Sequence, residues 1–169
     1  MIHPLRRVAL PTAISGGLWL TEMPGRAGPL SDYLAMARDL RITGLVCLVA
    51  GDEIATLSPD YATARADGLP GLTLLDFPIP DFGIPSDTAA FADFVTDLGG
   101  RLMAGERLMI HCAAGIGRTG MTAAMVLRAT GLPADDALAV IRAAGSGPET
   151  PAQMEYVLNT QPAQGQANP

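Results

Sequence analysis

Residues 107–120, RLMIHCAAGIGRTG, decide the fold. The apolar run from Leu108 to Ile110 is short enough for a buried strand and runs directly into His111 and Cys112. Gly115, Gly117 and Gly120 follow, and then TGMTAAMVLRAT (119–130) reads as a helix stopped by Gly131 and Pro133. A strand that empties through a glycine-rich turn into a helix is the local unit of α/β layered proteins, where ligands bind at the carboxyl ends of the strands. Five residues separate Cys112 from Arg118, so a nucleophile and a fixed cation stand at the two ends of one small loop.

The same unit repeats on either side. GLWL (17–20), GLVCLVA (44–50) and LTLLDFPI (72–79) have the branched, apolar character of buried strands. SDYLAMARDLRI (31–42), with Ser31 and Asp32 as its expected caps, reads as a helix, as does DTAAFADFVTDL behind Ser86 or Asp87. ADDALAVIRAA (134–144) and PAQMEYVL (151–158) follow, the latter with Thr150 as cap and Pro151 at its first position. The alternation predicts an α/β fold, a central, mostly parallel sheet of four to five strands flanked by helices on both faces. One domain over residues 1–160 is expected, with 161–169 as a disordered tail.

Composition narrows the partners. The 169 residues carry a formal net charge of −6, with 49% hydrophobic and only 5% aromatic residues. Such a surface repels nucleic acid and anionic membranes, so neither is an expected partner, and an anionic ligand must be held by local geometry. All eleven basic side chains are arginine. Two cysteines, Cys47 and Cys112, make no disulfide framework, and Pro11, Gly16 and Gly17 break the apolar stretch after Arg6 and Arg7. The expected compartment is the cytoplasm.

The loop has a definite chemical capacity. Glycines let successive N–H groups turn inward, and such a nest at a helix N-terminus binds an oxyanion. The backbone from Ala113 and Ala114 through Gly115, Ile116 and Gly117 to Arg118 is the expected phosphate cradle, and Arg118 adds a bidentate fork. The donors that hold a phosphate also stabilise a thiolate, so Cys112 is the candidate nucleophile, attacking phosphorus to give a phosphocysteine. Thr119 is expected to donate its hydroxyl to the sulfur, and His111 to order the loop through its ring nitrogens. The departing alkoxide or phenolate needs a proton; with His3 near the N-terminus, Asp81 in the Pro-Asp-Phe-Gly turn is the candidate donor, ahead of Asp76 and Asp87. No metal and no cofactor are called for.

Cys-x5-Arg followed by Thr resembles the signature loop of the protein tyrosine phosphatase superfamily, and PIPDFGIP (78–85) resembles its mobile general-acid loop. The resemblance spans roughly residues 15–160 and is strongest to the compact dual-specificity phosphatases, small prokaryotic members included. It implies a phosphorylated protein or peptide substrate, phosphotyrosine first and phosphoserine or phosphothreonine next. The tyrosine-specific branch carries an aromatic-bearing recognition segment that has no counterpart here, which implies a shallower cleft. Lipid-directed relatives place lysines in the loop where Ala113 and Ile116 stand. The tyrosine-specific branch also has a late Gln-Thr-x-x-Gln segment. GPETPAQ (147–153) puts Glu149 at its first position, where no amide is available to position water, and Gln153 at its second, as an auxiliary.

Other functions fit the same residues less well. Gly115-x-Gly117-x-x-Gly120 matches a dinucleotide fingerprint, but helices rather than a strand ending in an acid follow it. A P-loop NTPase needs a lysine the chain lacks, and a sulfur-transfer enzyme needs no donor such as Asp81. A phosphatase of small phosphoesters such as inositol phosphates, or a phosphate-binding module without turnover, stay as alternatives. Cys47 reads as a packed strand residue, with a regulatory disulfide to Cys112 as the minor reading. Asp52 and Glu53, at a strand exit, either tune the substrate or cap a helix.

Overall fold

The computed structural model describes residues 5–163. The elements run β1 (Arg6–Arg7), β2 (Gly17–Thr21), α1 (Leu30–Asp39), β3 (Gly44–Cys47), α2 (Gly51–Leu57), α3 (Pro59–Asp67), β4 (Thr73–Asp76), α4 (Thr88–Met103), β5 (Arg107–His111), α5 (Gly117–Ala129), α6 (Ala134–Ala143) and α7 (Pro151–Asn159). One five-stranded sheet has the order β1-β2-β5-β3-β4, parallel throughout except for β1. The α/β architecture expected from the sequence is the one found.

Strand burial explains strand composition. β2 and β3 are buried at every residue and β5 at all but its first, so they read as continuous apolar runs rather than alternating ones. β4, on the sheet edge, is only partly buried. In register, Thr21 of β2 and Cys47 of β3 both stand opposite His111 of β5. The carboxyl ends of the three strands therefore finish level, and Cys112 emerges at their common rim. Helix α5 departs from that rim, buried from Gly117 to Leu127 and packed against α4, α6 and α7.

Local chemistry sets the helix ends. The Asp87 carboxylate accepts from the N–H of Ala90, and Thr150 Oγ accepts from that of Gln153 with Pro151 behind it. α5 closes at Gly131, whose φ of +107° suits glycine. One expectation is corrected: α1 begins at Leu30 behind Pro29, so Ser31 and Asp32 lie inside its first turn and neither side chain caps it. The carbonyl of Pro29 accepts from the N–H of Asp32 instead. The sequence reading also left α2 and α3 unassigned; each buries a single residue, Ile54 and Tyr61, and so carries little periodic signal.

Of the segment read as a tail, Gln161 and Ala163 accept hydrogen bonds from Arg128 and Thr96; residues 164–169 lie outside the described residues, as does His3. Among the described residues no helix is long and apolar enough to cross a membrane.

Candidate active site

Cys112 is almost wholly buried at the base of the loop that joins β5 to α5, and its Sγ accepts the N–H of Gly115 at 3.3 Å. The carbonyls on either side of the loop's centre are turned outward onto partners. That of Cys112 faces His111 Nδ1 at 2.9 Å, and that of Ala113 accepts from the N–H of Met23 at 3.0 Å. The carbonyl of Gly115 accepts from Ser146 Oγ at 3.1 Å and from Arg6, and that of Ile116 from Ser146 Oγ at 2.9 Å. In a planar trans peptide the N–H points opposite to the carbonyl. The N–H groups of Ala113, Ala114, Ile116 and Gly117 consequently face away from these partners.

Glycine is needed twice here for space. A Cβ on Gly115, at φ +73°, would stand 2.3 Å from the carbonyl oxygen of Thr21, and one on Gly120 would stand 2.2 Å from the backbone nitrogen of Gly147. The loop thus lies directly on β2 and on the α6–α7 connection.

Arg118 is 2% exposed. Its Nη1 and Nη2 donate to the two carboxylate oxygens of Glu53 at 3.1 and 2.9 Å, and Nη1 also donates to the carbonyl of Ile79 at 3.2 Å. Asp81 Oδ1 lies 3.2 Å from Nη2. Glu53 therefore fixes the plane of the guanidinium from its Nη1–Nη2 end. Asp81 itself is more than half exposed and accepts the N–H of Phe82 at 3.0 Å.

The loop that carries Asp81 is tied down from α7. Gln153, fully buried, donates through Nε2 to the carbonyl of Gly83 at 3.0 Å and accepts the N–H of Glu149 at 2.9 Å. Thr150 Oγ donates to the carbonyl of Phe82 at 3.4 Å. Glu149 lies over the start of α5, its Oε2 filling the space a Cβ on Gly117 would need.

His111 is completely buried, and desolvation pushes its pKa down to about 4. Its neutral ring donates from Nδ1 to the Cys112 carbonyl, so Nε2 accepts, 2.7 Å from Tyr61 Oη. Tyr61 in turn accepts from Arg65, which is paired with Asp76 at 2.6 Å. This places Asp76 in a structural chain behind the loop, and Asp87 in the cap of α4. The hydroxyl of Thr119, expected to donate to the sulfur as it departs in the second step, is buried and has no hydrogen-bond partner in the structure. Cys47, on a neighbouring strand, is buried and free, and burial raises its pKa to about 11.

The sequence reading missed Arg6, Tyr61 and Ser146, and it gave Glu53 other roles. Ser146 sits between Gly145 and Gly147, a visible turn; nothing local marks which arginine of the two-residue strand Arg6–Arg7 reaches the loop. Among the described residues no three His, Cys, Asp or Glu side chains cluster to hold a metal ion.

Comparison with known proteins places this geometry. Residues 21–132 match the family model described as "Tc-R-P: Polymorphic toxin system, DSP-PTPase phosphatase". The chain is 27% identical over 147 residues to protein tyrosine phosphatase type IVA 3 of Bos taurus, covering 86% of this chain and 79% of that protein. Among solved structures it is 28% identical to Tk-PTP in its active form, with a TM-score of 0.63 over 86% of this chain and 94% of the other. The kinase associated phosphatase, solved with serine at its catalytic cysteine, superposes with a TM-score of 0.77 at 19% identity, over 93% and 94% of the two chains.

Proposed function

The chain belongs to the DSP-PTPase family, as a compact dual-specificity-like member of the protein tyrosine phosphatase superfamily, and from that premise we propose a mechanism and a substrate for it. It is a phosphatase. Its reaction runs in two steps. The Cys112 thiolate attacks phosphorus and the P–O bond to the leaving group breaks, giving a phosphocysteine, while Asp81 hands its proton to the departing oxygen. Water then attacks the phosphocysteine, Asp81 takes a proton from it, and thiolate and inorganic phosphate are released. The loop amides and Arg118 hold the three non-bridging oxygens throughout.

The observation that carries this reading is the meeting of Asp81 with the Arg118 guanidinium, within electrostatic reach of the Cys112 sulfur. Cys112 lies below the amide nest, Arg118 closes one side, and Asp81 reaches the same guanidinium from a separate loop. Glu53 acts through Arg118 as a positioning residue. Glu53→Gln removes the anionic, two-pronged partner, and kcat/KM for an aryl phosphate is expected to fall about tenfold, the measure of a charge-assisted pair lost. Steady-state kinetics with an unchanged circular dichroism spectrum check it.

For substrate we infer phosphotyrosine in a protein or peptide. Phe82, beside Asp81, is held at φ +57° and is 62% exposed, and Ile84 and Ile116 are the other large exposed hydrophobic residues on these two loops. A non-glycine residue in that region is uncommon, and here hydrogen bonds on both sides of it fix the backbone. The ring is thereby presented at the rim, where it can pack against a phenyl ester. Phe82→Ala is expected to raise KM for a phosphotyrosyl peptide by roughly three- to tenfold and to leave that for a phosphoseryl peptide unchanged. A panel of both peptides, inositol phosphates and nucleotides, in EDTA-containing buffer, tests the reading; preference for an inositol phosphate would move the assignment to small phosphoesters. The reacting thiol has to stay reduced, which favours the cytoplasm as its compartment.

A further inference from the structure

We propose that Arg6, outside the signature loop and on the far side of β2, is a positioning residue that aims and polarises the phosphate-binding amides from behind. This rests on the phosphatase reading above and adds a second cation to it.

Arg6 belongs to β1, the antiparallel edge strand paired with β2 through Leu20. From there its two terminal nitrogens reach different loops: Nη2 donates to the carbonyl of Gly115, and Nη1 to that of Gly145. Ser146 Oγ bonds to the same Gly115 carbonyl and to that of Ile116. The two carbonyls belong to the peptides whose N–H groups are those of Ile116 and Gly117. A cation on the oxygen of a peptide draws electron density from its nitrogen, so the N–H at the other end becomes a stronger donor. Arg6 and Ser146 thus form an outer ring around the loop, and the inner ring of amides meets the phosphate.

The geometry also explains the placement. In a chain of net charge −6 without lysine, an anion must be held by few cations. A second arginine inside the cup would compete with the phosphate for space and, like Arg118, would need its own carboxylate to hold it. Behind the loop it occupies no ligand space. Burial pulls the pKa of Arg6 below the ordinary arginine value, and the Cys112 sulfur and Glu22 work against that lowering, which puts its charge within electrostatic reach of the nucleophile. Gly145, at φ +79°, lies so near the Arg6 side chain that a Cβ there would stand 3.3 Å from Nη1. The fork is therefore seated in a fitted position.

The test uses tungstate, an oxyanion that needs the amide cup but no turnover, as a competitive inhibitor of aryl phosphate hydrolysis. Arg6→Met is expected to weaken tungstate inhibition about tenfold and to lower kcat by a similar factor, with KM changed less. Arg6→Lys, which keeps the cation, is expected to stay within about threefold of wild type, and Ser146→Ala to lie between the two. Should Arg6→Met not fold, Arg6→Lys and Ser146→Ala carry the test. Wild-type tungstate affinity in Arg6→Met or Ser146→Ala overturns the inference, as does an Arg6→Lys no better than Arg6→Met. A wild-type protein that neither hydrolyses aryl phosphate nor binds tungstate overturns the phosphatase mechanism instead, so the two failures are separable.

Discussion

Cys112→Ser is expected to abolish hydrolysis of any phosphate ester, with kcat reduced on the order of 10⁴-fold or more, while phosphorylated ligands still bind. The loss has two physical sources. An alcohol is a far weaker acid than a thiol and a poorer nucleophile, so serine needs a base where cysteine does not. In the first step Asp81 is the proton donor and not a base, and the adjacent His111 has its Nδ1 committed to the Cys112 carbonyl and its Nε2 to Tyr61. The second source is reach. The Gly115 N–H meets the sulfur at 3.3 Å, a distance set by a large atom on a long C–S bond, and a serine oxygen falls short of that position. The grip on phosphate comes from groups the substitution leaves alone, the loop amides and Arg118. Calorimetric titration of the variant with a phosphotyrosyl peptide is thus expected to give an affinity within a few-fold of the wild-type KM. Turnover surviving in Cys112→Ser, with an intact circular dichroism spectrum, would exclude the phosphocysteine route.

The sequence exposed the cup more readily than its supports, and the reason is physical. Cys112, Arg118 and the intervening glycines are local: strand, turn and helix succeed one another within a dozen or so residues, and each has a compositional signature. Central strands such as GLVC and GLWLT were legible because burial on both faces makes them uniformly apolar. What surrounds the cup is assembled across the chain. Glu53 meets Arg118 over a separation of 65 residues and Arg6 meets Gly115 over 109, and no periodicity encodes such pairings. Glu53 also sits in the first turn of α2, where an acid is favourable for the helix alone, so its residue type pointed equally well to a capping role. Thr119 was legible as a hydroxyl donor from its position beside Arg118, and the structure holds that hydroxyl buried with no other partner to claim it. Gln153 was legible only as a weak auxiliary, because its contact is with the backbone of a loop 70 residues earlier.

The second large effect belongs to Asp81→Asn. With a phenyl or alkyl phosphate the leaving oxygen is a strong base and must be protonated as it departs; removal of the donor is expected to lower kcat by about 10²–10⁴-fold. With a para-nitrophenyl ester the leaving group is far less basic and the penalty shrinks, so the ratio of variant to wild-type rates should climb as the leaving group becomes more acidic. Binding should move the other way. Asp81 stands 3.2 Å from Arg118 Nη2, and a neutral amide competes less with a phosphate dianion for that guanidinium, so KM is expected to hold or fall. The amide retains an oxygen for the Phe82 N–H, and the loop keeps its ties to Gln153 and Thr150, so a folding defect does not imitate this pattern. Other carboxylates near this end of the sheet are otherwise engaged, Asp76 by Arg65 and Asp87 by the Ala90 N–H. If Asp81→Asn lost the same factor with every ester, whatever the basicity of its leaving group, the proton would have to come from a different group, and the loop bearing Asp81 would be a wall of the pocket with no part in the chemistry.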